Sequence, residues 1–146
     1  MTRRTSKAGQ QHIKTFEGLR LDCYKCVAGR NTIGWGHASA SVKPGMKITE
    51  AEAEALFQND LAEAERAVNE LVKVPLQQGQ YDACVDFVFN LGRGQFANST
   101  LLRMLNARDF NGAGEQLMRW VHSGGQIIAG LQRRRQAARD MWFNGR

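Results

Sequence analysis

Between Thr49 and Pro75 the chain carries the pattern that most restricts its fold. Thr49-Glu50-Ala51-Glu52 is a capping box, in which a hydroxyl and a carboxylate each satisfy a free backbone N–H at a helix start. Phe57, Leu61, Ala64, Val68 and Leu71 then recur at spacings of four and three, which puts them on one helical face. Acids occupy the other face, and Pro75 closes the run. The spacing predicts one helix of about 22 residues, about 33 Å long at a rise of 1.5 Å per residue. A rod of that length crosses a small domain, so other elements must gather around it or at its two ends.

The flanking sequence differs on the two sides. Residues from about 6 to 17 suit a first helix with Ile13 and Phe16 on one face. Residues 21–37 read as β, with Tyr24, Val27, Thr32, Ile33 and Trp35 punctuated by Gly29, Gly34 and Gly36. Pro44-Gly45 makes a turn. After Pro75 the pattern is helical throughout: about 77–91, stopped by Gly92-Arg93-Gly94; about 100–107, with Ser99 as cap; about 112–121; and about 127–143, set off by Gly124-Gly125. The fold class is therefore α+β and mostly helical. A small β-containing lobe (12–48) joins a larger helical lobe (75–146) through the long helix (49–74), all within one domain. A cleft between two lobes is a favoured place for a ligand.

Charge narrows the partners. The stretch from Thr49 to Glu70 holds seven acids and one base, which leaves 19 bases against 7 acids elsewhere in a chain of net +6. Such a surface attracts polyanions, whether an acidic wall polymer, anionic lipid or nucleic acid. The nucleic-acid reading lacks a recognised motif and is opposed by the acidic helix. A third class is a membrane-permeabilising protein acting through Gln126 to Trp142, where Arg133, Arg134, Arg135 and Arg139 lie beside Ile127, Ile128, Leu131, Met141 and Trp142. A docked C-terminal helix is the preferred reading of that segment.

Three cysteines form no paired metal half-sites: Cys23-Tyr24-Lys25-Cys26 stands alone, and Cys84 reads as a small buried residue. No apolar stretch follows the basic Met1–Lys7 segment, and no stretch reaches membrane-spanning length. These features predict a protein made and held in a reducing cytoplasm.

Glu17 carries the chemistry. It stands at the expected end of the first helix and is followed by Gly18-Leu19-Arg20, Tyr24-Lys25-Cys26 and Asn31-Thr32-Ile33-Gly34-Trp35-Gly36-His37. That layout brings one acid and several small polar groups to one wall, as cleavage of a sugar chain requires. The leaving oxygen must be protonated while positive charge develops on the ring, so a carboxyl group must be protonated near neutral pH. Apolar neighbours favour the protonated form of a carboxyl, and Phe16 and Leu19 flank Glu17.

Glu17, eight residues, Cys26, five residues, Thr32 resembles the catalytic signature of the phage-type lysozymes, or endolysins, whose middle residue is usually Asp. Phe89-Asn90-Leu91-Gly92, Asn98-Ser99-Thr100-Leu101-Leu102, Arg119-Trp120 and Gly130-Leu131-Gln132-Arg133-Arg134-Arg135 are similar to the same family, so the resemblance runs from about residue 11 to 143. It implies a lysozyme-like fold and a monomeric muramidase without metal or cofactor. Such an enzyme cuts the β-1,4 bond between N-acetylmuramic acid and N-acetylglucosamine in peptidoglycan glycan strands. Electrostatic attraction to anionic wall polymer or lipid would assist it. The resemblance makes Glu17 the proton donor, Thr32 the holder of the attacking water and Cys26 the second catalytic group. Gly36, Asn90 and Arg135 become substrate-binding candidates. His37 becomes a structural residue paired with an acid, Trp120 a core residue, and one arginine of Arg133–Arg135 a brace for Glu17, with the others solvated. A host-cytoplasmic enzyme released to the wall by a holin is implied as well.

Cys26 is the departure. A thiol near its ordinary value of about 8.5 is only a few per cent ionised at pH 7, and Arg20, Lys25 and Arg30 are the cations able to favour the thiolate. Asp22 is the alternative carboxylate. A lytic transglycosylase, which needs one acid/base Glu and leaves a 1,6-anhydro sugar, is the alternative reaction.

Overall fold

The computed structural model describes residues 3–26 and 29–144. Val27 and Ala28, assigned to the β segment above, lie outside them, as does Met1. The elements run α1 (Lys7–Glu17), β1 (Arg20–Lys25), β2 (Asn31–Gly34), β3 (His37–Ala38), α2 (Glu50–Leu71), α3 (Gln78–Leu91), α4 (Arg93–Ala97), α5 (Thr100–Asn106) and α6 (Phe110–Gln116). A 3-10 turn (Leu117–Arg119), β4 (His122–Ser123), β5 (Gln126–Ile127) and α7 (Ala129–Asn144) complete the chain. The chain forms two compact units, one of Ile13–Glu63 and one of Met1–His12 with Ala64–Arg146.

In the first unit, β1, β2 and β3 form an antiparallel meander. The α2 capping box is present: Thr49 N donates to Glu52 Oε1 at 2.9 Å, and Glu52 N to Thr49 Oγ1 at 3.1 Å. Ile13, Ile33, Val42, Ala53, Phe57 and Leu61 are buried together here. Two of the α2 acids anchor neighbours. Glu54 takes Lys14 at 2.5 Å, whose ammonium also lies 5.2 Å over the Trp35 ring and 4.9 Å over Phe57. Asp60 takes His37 Nδ1 at 2.8 Å, which is the acid partner expected for that histidine.

In the second unit α7 packs on α3. Phe87 lies 5.6 Å from Phe96 and meets Trp120 edge-on at 5.0 Å. Trp142 is buried, and its indole N–H donates to the Phe110 carbonyl at 2.9 Å. Cys84 is buried too, and burial pushes its thiol well above the usual range. Two expected helices are shorter than the sequence suggests. The predicted 112–121 helix tightens into the 3-10 turn after Gln116. The predicted start at 127 moves to Ala129, because Gln126–Ile127 pair with His122–Ser123 across Gly124 and Gly125, both at positive φ.

The N-terminal segment is clamped to the same unit. Thr5 N and Oγ1 both donate to Glu65 Oε2, at 2.6 and 2.7 Å, while Ser6 N and Oγ donate to Asp82 at 3.1 and 2.5 Å. Glu65 is consequently 4% exposed, although the sequence reading placed it on an acidic outer face. Its burial is tolerable because a backbone N–H and a hydroxyl replace water. Among the described residues no helix is long and apolar enough to cross a membrane.

Candidate active site

Glu17 ends α1, and Gly18 follows at φ 72° with its N–H on the Lys14 carbonyl at 2.9 Å. This is the left-handed helix stop that glycine supplies. The carboxylate then rests on the backbone of Gly36. A methyl group built at Gly36 would overlap Glu17 Oε1 and sit 2.9 Å from its carboxyl carbon. Gly36 also has φ 79°, where a side chain is strained. Gly36, a candidate for substrate binding, lies against the Glu17 carboxylate. With Glu17 in its expected role of proton donor, Gly36→Ala should reduce turnover by about 100-fold or more, since a small misplacement of a reacting group costs that much. The strain and overlap should cost about 1–3 kcal/mol of stability. Initial rates on purified peptidoglycan, with a melting curve of the same sample, check this.

Cys26 occupies the first position of the β1–β2 loop. Its N–H donates to the Arg30 carbonyl at 2.9 Å, and its own carbonyl accepts from Gly29 N at 2.8 Å. Gly29 has φ 81°, a left-handed conformation that glycine adopts without a side-chain penalty. The Thr32 hydroxyl donates to the same Arg30 carbonyl at 3.0 Å. One carbonyl thus ties Cys26 and Thr32 together. With its proton committed there, the Thr32 oxygen has lone pairs left to accept from a water. Thr32 as a whole is 3% exposed, and it faces Tyr24 across the β1–β2 ladder.

Tyr24 links the two ends of the motif. Burial raises its phenol, the charges of Glu17 and then Cys26 raise it further, and the Arg20 guanidinium 4.6 Å above the ring pulls the other way. Tyr24 is thus a half-buried phenol stacked by Arg20 and within the field of Glu17 and Cys26. Within the motif Tyr24 reads as a strand aromatic. The signal was its alternation with Cys26, two residues on. Asp22 is exposed and bridges Lys47 through the backbone. The cysteines carry no disulfide; Cys23 and Cys26 are half-buried thiols.

The remaining candidates lie in the other unit. Arg135 is fully buried and donates to Asn90 Oδ1 and, at 3.0 Å, to the Trp120 carbonyl. Asp86, also fully buried, holds Arg134 at 2.8 and 2.9 Å, His12 at 3.3 Å and Arg135 at 3.6 Å. Any contribution of Arg135 to substrate runs through the Asn90 amide that it braces. The sequence put only one arginine of Arg133–Arg135 to internal use and left the others on a solvated face. Arg134 and Arg135 are both interior, because Asp86 supplies a charge partner that no local spacing reveals.

Known proteins resemble the chain along most of its length. Residues 14–138 match the model of the Phage lysozyme family. An endolysin of Acyrthosiphon pisum secondary endosymbiont phage 1 is 42% identical over 141 residues, covering 94% of this chain and 96% of that protein. An endolysin of Bacillus phage B103 is 42% identical over 142 residues, 96% of this chain; the chain spans 54% of that relative's length. Among solved structures, the muramidase domain of SpmX from Asticaccaulis excentricus superposes with a TM-score of 0.87 at 38% identity, covering 96% of this chain and 98% of that one.

Proposed function

The chain belongs to the phage lysozyme family, and we propose that it is an endolysin that hydrolyses the β-1,4 bond between N-acetylmuramic acid and N-acetylglucosamine in peptidoglycan. The observation that carries this reading is the seat of Glu17: a carboxylate held on Gly36, in the same unit as Cys26 and Thr32. Glu17 gives its proton to the glycosidic oxygen as the bond to the anomeric carbon breaks. Thr32, already donating to Arg30, accepts one hydrogen of a water and aims its oxygen at that carbon. Cys26, as thiolate, takes the proton that the water loses on attack. Proton exchange with solvent then resets both groups. Asn90, held by Arg135, is the candidate for binding sugar or stem peptide. The enzyme would work without metal or cofactor and as a monomer, and a holin would give it access to the wall.

Product release by four forms tests the roles. Wild type should generate reducing ends, Glu17→Gln none, Cys26→Ala about 100-fold fewer, and Cys26→Asp should recover most of the loss. Full activity in Cys26→Ala would remove Cys26 from the mechanism and leave a single-acid reaction. The lytic transglycosylase would then be the better reading if the products were anhydro sugars.

The burial of Arg134, Arg135 and Trp142 favours a docked α7 over a lytic amphipathic segment. Ile127, Ile128 and Phe143 are the large apolar side chains left exposed there.

A further inference from the structure

We infer that the stack of Arg20 on Tyr24 is a positioning device that holds a fixed positive charge beside Cys26 and so favours its thiolate. This rests on the reading of Cys26 as the second catalytic group. It supplies a reason for a thiol, mostly protonated near neutral pH at its ordinary value, to act as a base.

The strand geometry supplies the argument. Arg20 pairs with Gly34 and Tyr24 with Thr32, so four steps along β1 face only two along β2, and the register shifts between them. In a regular strand residues four apart are separated by about 13 Å, whereas the partners of this pair are about 7 Å apart along their strand. The irregularity therefore draws Arg20 toward Tyr24, and the guanidinium completes the approach at 4.6 Å from the ring centroid. Arg20 is otherwise exposed. Stacking fixes its charge on the Tyr24 ring, and Cys26 follows two positions on, the spacing that puts side chains on one face of a strand. Burial raises the phenol, Glu17 raises it further, Arg20 lowers it and Cys26 raises it, so the charges of Arg20 and Cys26 both act at this ring.

The other cations near Cys26 are disposed differently. Arg30 donates from its guanidinium to the Ala38 carbonyl at 3.2 Å. Lys25 is exposed and adjacent to Cys26 on a strand, where successive side chains alternate faces. Asp22 and Glu17 are the acids on or beside this strand. Arg20 is the cation with a fixed seat on the motif's own aromatic ring.

The test is iodoacetamide alkylation of the full chain at one fixed pH, followed residue by residue by mass spectrometry. Cys23, half-buried on the same strand, is the internal reference. Only the thiolate reacts, so Arg20→Gln should slow alkylation of Cys26 by about threefold at low salt and leave Cys23 unchanged. The difference should shrink at 1 M salt, where an exposed charge is screened within about 3 Å. Arg20→Lys and Tyr24→Phe should keep the wild-type rate, because a cation and a ring remain. Tyr24→Leu should behave as Arg20→Gln, and combining the two should add nothing further. An unchanged Cys26 rate in Arg20→Gln overturns the proposal. So does a change of equal size at Cys23, which would mark a loosened strand. Neither result bears on whether Cys26 is catalytic. That is decided by the activity of Cys26→Ala, so the two ideas fail separately.

Discussion

Glu17→Gln is expected to abolish release of reducing ends from purified peptidoglycan, lowering turnover by at least about 1,000-fold, while the protein stays folded. General-acid catalysis alone is worth about 100- to 10,000-fold, and no second proton donor is assigned to the leaving oxygen. The amide is close in size to the carboxyl and retains its seat on Gly36, so positioning survives while the transferable proton is lost. Parallel melting curves within about 3 °C of each other would attribute the loss to chemistry, since about 1 kcal/mol moves the midpoint by roughly 2–4 °C in a domain near this size. Substantial residual activity would mean that another group protonates the leaving oxygen.

The second large effect concerns stability. Asp86→Asn should destabilise the helical unit by about 3–5 kcal/mol, because it leaves two buried guanidinium groups without their counter-charge. The cost is high because Asp86, Arg134 and Arg135 are all buried, which keeps solvent from screening them. Burial alone would raise the Asp86 carboxyl, but Arg134 and then His12 outweigh it and hold the carboxyl below the usual carboxylate range. A carboxyl lowered on folding stabilises the native state above its unfolded value, and that contribution disappears as pH falls through the folded value. Wild type should therefore hold its urea midpoint from neutral pH down to about pH 4 and then lose stability steeply. Asp86→Asn should start lower and show a flatter acid limb. Equal acid limbs in the two proteins would mean that other carboxylates govern acid unfolding. Burial also lowers Arg135 to about 10, with Asp86 pulling the other way.

What was legible in the sequence was local. The capping box of α2 is set within four residues and appears where the pattern put it. So does the cap of α5, where Ser99 Oγ accepts from Leu102 N at 3.0 Å. Glu17 and Gly36 could be picked out as residues, but their contact requires the helix end and the β2–β3 turn to be folded against one another. What was illegible depends on distant partners. The interior place of Glu65 follows from Thr5, sixty residues earlier. The interior arginines of α7 follow from Asp86, forty-eight positions before Arg134. Arg134 and Arg135 belong to a run of three bases, and such runs ordinarily face solvent. The strand irregularity that brings Arg20 to Tyr24 left no mark in a segment whose glycines all lie outside it. Tyr24 consequently read as an ordinary strand aromatic, although it sits among the charges of the site.

Hydrolysis of a glycan strand with Glu17 as the acid is tested most directly by the mass of the products. Purified peptidoglycan digested with wild type should yield fragments that have gained one water and end in a reducing N-acetylmuramic acid, with none from Glu17→Gln. Fragments lacking that water and ending in a 1,6-anhydro sugar would contradict hydrolysis, and identical fragments from Glu17→Gln would contradict the acid.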